Sequence, residues 1–177
     1  MRKVLLLFYI LILTSLTAAC SPAKGELNPS FWQYKRDDLG FSIEYPKDWI
    51  IEEFNNNEIG IKPRDGTNTE IQIGAFSGTP ILSTMPADEA TILIEASLYV
   101  FVNSLEGSGL IMISNEPAGS NSNDWDWVAR FFYYYEGLPV RGGYYLQETS
   151  TMSYTLIFIS GTQPPEIDKV IDSFTIY

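Results

Sequence analysis

The stretch that decides the fold is Gly40-Phe-Ser-Ile-Glu-Tyr-Pro-Lys-Asp-Trp49, GFSIEYPKDW. Phe41, Ile43 and Tyr45 alternate with Ser42 and Glu44, which gives one apolar face at period two, as expected of a half-buried strand. Pro46 carries no backbone N–H and ends the ladder. Lys47 and Asp48 turn the chain, and Trp49 opens a second strand, WIIEEF.

Downstream, Asn55-Asn56-Asn57 reads as a hairpin turn, because asparagine tolerates left-handed dihedrals. EIGIKP (58–63) and TEIQIGAF (69–76) follow as strands, with Ile71, Ile73 and Ala75 on one side of the second. From 86 to 105 the period changes. Ala90, Ile94, Leu98, Phe101 and Leu105 recur at three and four, which is a helical stripe. Ser83 or Thr84 is placed to cap its start, Pro86, Asp88 and Glu89 suit its first turn, and Gly107 and Gly109 follow its end. LIMISNEP (110–117), DWDWVARFFYYY (124–135), VRGGYYLQET (140–149) and SYTLIFIS (153–160) then read as strands, the last three as an antiparallel meander. Trp125, Trp127, Ala129, Phe131 and Tyr133 would form one buried face. Pro164-Pro165 starts a short helix with Ile167, Val170, Ile171 and Phe174 inward, and FTIY is a candidate last strand. Helices between groups of strands make an α+β domain around a mostly antiparallel sheet.

The order of these motifs resembles the PsbP family, the extrinsic photosystem II proteins and their bacterial relatives, several of which are lipoproteins. The resemblance covers about residues 31–177 and rests on Phe41-Ser-Ile-Glu-Tyr-Pro, Trp49 and Ser173-Phe174. It implies an α/β/α sandwich, helices flanking a central antiparallel sheet, with Tyr45, Pro46 and Trp49 structural. It also implies binding or assembly in place of catalysis. No residue here matches the contacts of the photosynthetic members.

The chemistry open to the chain is narrow. It has no histidine, which removes histidine-dependent triads and zinc sites. No phosphate-cradling glycine loop appears. The expectation is therefore no catalytic residue, no metal and no cofactor. In NSNDWDW (121–127), Asp124 and Asp126 would share a strand face, and Asn121 and Asn123 add oxygens of the kind calcium favours. The loop lacks EF-hand spacing, and a polar turn into a strand is the preferred reading. FFYYY (131–135) and GGYY (142–145) are either cross-strand core pairs or an aromatic platform for a glycan or peptide. Tyr134 and Tyr144 are the residues of that possible ligand surface.

The leader, MRKVLLLFYILILTSLTAAC, has a basic n-region at Arg2 and Lys3 and an apolar run from Val4 to Leu13. That run is too short to span a bilayer, which takes about 20 residues, and fits a signal peptide over 1–19. Thr17-Ala18-Ala19-Cys20 resembles a bacterial lipobox, with Cys20 the chain's one cysteine. The resemblance implies thioether lipidation of Cys20, cleavage before it and acylation (palmitate or similar) of the new amine. An ordinary signal peptide with a chance cysteine is the alternative. Residues 20–30 would be a lipidated tether, leaving the domain held at the membrane on the extracytoplasmic side of the cell envelope. Losing Arg2 and Lys3 takes the 11 basic residues to 9 against 22 acidic ones, a net charge of −13. That surface repels nucleic acid and anionic headgroups.

The expected function is a membrane-tethered, non-enzymatic module for an unidentified protein partner, with a glycan- or small-ligand-binding lipoprotein as the alternative. Cys20→Ser should move the protein from the detergent to the aqueous phase in a phase-partition assay and leave its circular dichroism unchanged. Wild-type protein already in the aqueous phase would refute lipidation.

Overall fold

A computed structural model describes residues 30–118, 125–162 and 164–177. In chain order the elements are β1 (Phe31–Arg36), β2 (Phe41–Pro46), β3 (Trp49–Asn55), β4 (Glu58–Pro63), β5 (Thr69–Ser77), a 3₁₀ turn (Leu82–Thr84), α1 (Ala87–Ser104), β6 (Ser108–Pro117), β7 (Trp127–Tyr135), β8 (Leu138–Glu148), β9 (Met152–Ser160), α2 (Glu166–Asp172) and β10 (Thr175–Ile176). The domain is sheet-rich and α+β. Its larger sheet is antiparallel, seven-stranded and ordered β3-β4-β5-β9-β8-β7-β6, and a three-stranded sheet is ordered β1-β2-β10.

GFSIEYPKDW is the corner between these sheets. Its first half is β2, the middle strand of the small sheet, and its tryptophan opens β3, an edge of the large one. The two strands flanking Pro46 therefore do not pair with each other. The alternation in FSIEYP did not announce β1, which precedes it and pairs with it from Phe31↔Pro46 to Arg36↔Phe41. Phe41, Ile43 and Trp49 are buried, and so is Pro46.

Alternation along the large sheet feeds two cores. On one face Trp49, Ile59, Ile61, Ile71, Ile73 and Leu156 meet β1, β2 and the buried Ile167, Val170 and Ile171 of α2. On the other face Trp127, Ala129, Phe131, Tyr133 and Leu146 meet Ala90, Ile94, Leu98 and Val102 of α1. The inward stripe of α1 thus uses Val102, with Phe101 and Leu105 at its margin. Neither Ser83 nor Thr84 occupies the helix N-cap, which is Pro86 with no side-chain cap bond. The Thr84 hydroxyl donates back to the Ile81 carbonyl at 3.0 Å.

Two details explain the local order. The β7–β8 turn is the two-residue loop Glu136-Gly137, with φ of 49° and 78°, the backbone a tight hairpin requires. Ser173, from the SF pair after α2, accepts from the Glu44 N–H at 2.8 Å and has the Val170 carbonyl at 2.7 Å, so one hydroxyl ties α2 to β2.

The indole of Trp49 is 4% exposed, in the core between the two sheets. Trp49→Ala should cost about 3–5 kcal/mol, as large core truncations do. A chemical-denaturation midpoint that did not move would contradict this.

Candidate functional site

The two tyrosine runs do not make one platform. Along β7, Phe131 and Tyr133 face α1, so Phe132 and Tyr134 face the other way. Tyr134 is 44% exposed there, and Ile111, the partner of Phe132 on β6, is exposed too. Phe132 lies in the same row with the Arg141 guanidinium 5.2 Å from its ring. Tyr144 packs on the α1 side instead. Burial, with the Glu148 charge, pushes its phenol up to about 12, so it stays neutral at ordinary pH.

GGYY has a packing role. Gly142 pairs with Phe131, and Gly143 with Phe158. A β-carbon on Gly142 would sit 2.2 Å from the Phe131 ring, and one on Gly143 2.4 Å from the Phe158 ring. The adjacent glycines accommodate one phenylalanine on each face of the sheet.

The WDW triplet divides between the cores. Trp125 precedes β7 and turns to the α2 side, stacking on Phe174 at 5.2 Å and lying 5.3 Å from Tyr145. It therefore does not share the face of Trp127, as plain alternation suggested. Trp127 donates from Nε1 to Asn115 Oδ1 at 2.7 Å, and Asn115 Nδ2 donates to the Thr91 carbonyl at 2.9 Å, a link from sheet to helix. Asp126 Oδ2 accepts from the Glu148 N–H at 2.6 Å and fastens the start of β7 to the end of β8. Asp124, Asn121, Asn123 and Cys20 lie outside the described residues. Among the described residues no group of three or more His, Cys, Asp or Glu is arranged to hold a metal, and no helix is long and apolar enough to cross a membrane.

Two features were not picked out from the sequence. The first is a cavity of about 490 Å³ where the C-terminal end of α1 meets the β4–β5 loop, with Tyr133, Tyr135, Val140 and Ile159 in its wall and Lys62, Arg64 and Glu70 around it. Its residues come from six parts of the chain, and only the tyrosine run was a visible signal. A second, polar cavity of about 530 Å³ lies at the Trp49 corner, beside Asp48, Asp65, Glu166 and Lys169.

The second feature is the outer face of α1. Ile92, Tyr99 and Val100 are 60–68% exposed and Leu93 is 44% exposed, with Ala96 open among them. A helix packed on a sheet ordinarily turns charge outward. This one has Asp88, Glu89 and Glu95 as its charged residues and neither lysine nor arginine.

No family model matches the chain, and no curated protein matches it. Among solved structures, it is similar to the solution structure of cyanobacterial PsbP (CyanoP) from Synechocystis sp. PCC 6803, with a TM-score of 0.62, 10% identity, and coverage of 92% of this chain and 99% of that one. It is also similar to a crystal structure from Bacteroides thetaiotaomicron VPI-5482, with a TM-score of 0.52, 17% identity, and coverage of 84% of this chain and 49% of that one. The chain thus spans about half the length of the second. At these identities the likeness speaks for the fold, and the fold is PsbP-like.

The Asp126 contact has a measurable consequence. Asp126→Ala should lower stability by about 1 kcal/mol, the usual worth of such a bond at an exposed site, and Asp126→Asn, which keeps an acceptor oxygen, by less. Equal losses in urea denaturation would show that the contact does not carry the effect.

Proposed function

We propose that this chain is a lipoprotein, anchored to the membrane through lipid on Cys20 on the extracytoplasmic side of the cell envelope. Its PsbP-like domain would be a non-enzymatic module that binds or helps assemble a protein partner. On this reading α1, the large sheet and α2 are the layers of an α/β/α sandwich, with the small sheet sharing the α2 layer.

The observation that carries the reading is the outer face of α1. Exposed apolar patches of this kind mark contacts with proteins or membranes. Helices that lie on anionic membranes are rich in lysine and arginine on their polar face. The charges of α1 are all carboxylates, which favours a protein with an apolar, basic-rimmed surface. The acidity of the whole chain points away from nucleic acid. A second reading, a glycan or small ligand on the aromatic sheet surface, has the open Tyr134 patch in its favour. The inward packing of Tyr144 speaks against a site shared by the two tyrosines.

A photo-crosslinking residue in place of Ala96, in the lipidated protein in its native membrane, tests the proposal. The expected result is one protein adduct, lost in the Ile92→Asp, Val100→Asp double variant, with no such adduct from the same probe at Phe54 on β3. Adducts to lipid alone, or a protein adduct indifferent to the two aspartates, would overturn it.

A further inference from the structure

The cavity beside the end of α1 is separate from the docking face. Its volume of about 490 Å³ falls within the range of about 300–1,000 Å³ that holds small molecules. Val140, Ile159, Ile50 and Leu105 supply apolar wall. Tyr133 and Tyr135 stand two apart on β7, on the same side of the sheet.

Tyr133 is the informative residue. Only 3% of the residue is exposed, but its hydroxyl oxygen is not sealed from solvent and makes no hydrogen bond within the described residues. A few polar groups set in a largely apolar wall are what orient a small molecule in such a cavity. Burial raises its pKa, and the charges of Glu70 and Tyr135 raise it further. Both neighbours also line the cavity, which places the hydroxyl at the cavity wall. The Glu70 carboxylate accepts one bond, from Gln72 Nε2 at 3.1 Å, and retains further acceptor sites.

The charges around the cavity balance. Lys62 is paired with Glu52 at 2.6 Å, and the lining also holds one further charge of each sign, Arg64 and Glu70. An anion would meet Glu70 and a cation would meet Arg64. An uncharged molecule meets neither penalty. A hydroxyl on it can donate to the Glu70 carboxylate and accept from the Tyr133 phenol, which uses a donor that the fold leaves unpaired.

We propose that this cavity binds an uncharged ring compound bearing a hydroxyl group, with the ring against Val140, Ile159 and Leu105 and the hydroxyl between Tyr133 and Glu70. A simple phenol and a pyranose share this chemistry. The site is independent of α1's outer face, so the Ile92→Asp, Val100→Asp variant should retain it.

Titration calorimetry and ligand-observed NMR on the full chain would use p-cresol, toluene, methyl β-glucopyranoside, benzoate and benzylamine. We expect saturable one-site binding of p-cresol or of the glucoside, and the one that binds identifies the source. If p-cresol binds, it should do so about fivefold or more tightly than toluene, the worth of one hydrogen bond, and benzoate and benzylamine should be weaker. If the glucoside binds, the same loss should appear for its wild-type affinity against Tyr133→Phe. Tyr133→Phe should erase the hydroxyl preference without lowering the melting temperature, since that hydroxyl holds nothing in the fold. Val140→Trp, which fills the cavity, should abolish binding. Failure of both hydroxylated probes to saturate, tighter binding of a charged probe, or an affinity for the hydroxylated ligand unchanged in Tyr133→Phe would overturn the proposal.

Discussion

The structure depends on the pairing of β5 with β9. Nine residues of each strand run antiparallel in unbroken register, from Thr69↔Ser160 to Ser77↔Met152. This seam joins the β3-β4-β5 hairpins to the β6-β9 meander, which are otherwise linked in sequence through α1. β9 sends Tyr154, Leu156 and Phe158 into one core and Ile157 and Ile159 toward the other. A slip of one residue would exchange these sets and spoil both cores at once. The end of the seam is held by the buried hydroxyls of Thr69 and Ser160, 2.7 Å apart, and Ser160 also donates to the Thr162 carbonyl.

The seam also sets where the open helix face and the cavity lie. α1 leaves β5 and returns at β6, and its buried residues cover β7 and β8. The cavity opens where that cover ends, and Leu105, just past the helix, forms part of its wall. One helix therefore supplies the exposed apolar surface on its outside and a boundary of the cavity at its tip.

Strands and helices with a clean period were legible in the residues: Ile71, Ile73 and Ala75 went inward together, and Ala90, Ile94 and Leu98 did the same at helical spacing. β1 was not legible, because FWQYKR mixes two cations with its aromatics and buries only Phe31 well. Trp125 was misplaced because a strand's alternation was extended two residues past its true start. The aromatic runs were ambiguous for a different reason. Their composition fits a ligand platform or a core equally, and only the cross-strand partners, Gly142 under Phe131 and Gly143 under Phe158, separate the two. The cavity was least legible of all, since Tyr133, Glu70 and Arg64 are distant in sequence and each is ordinary alone.

The small sheet has a further implication for how the chain acquires its structure. Its middle strand, β2, is flanked by β1 from the beginning of the domain and by β10 from after α2. The Tyr177 N–H closes on the Gly40 carbonyl at 3.0 Å, and Phe174 stacks 5.6 Å from Phe41. Contacts this distant in sequence carry a loop-closure cost and slow folding. A chain delivered from its N-terminal end can form hairpins as they emerge, but it cannot seat α2 and β10 until nearly all of it has arrived. Until then the Trp49 side of the large sheet lacks part of its cover, so the interval before closure is when the unfinished domain most needs protection from aggregation.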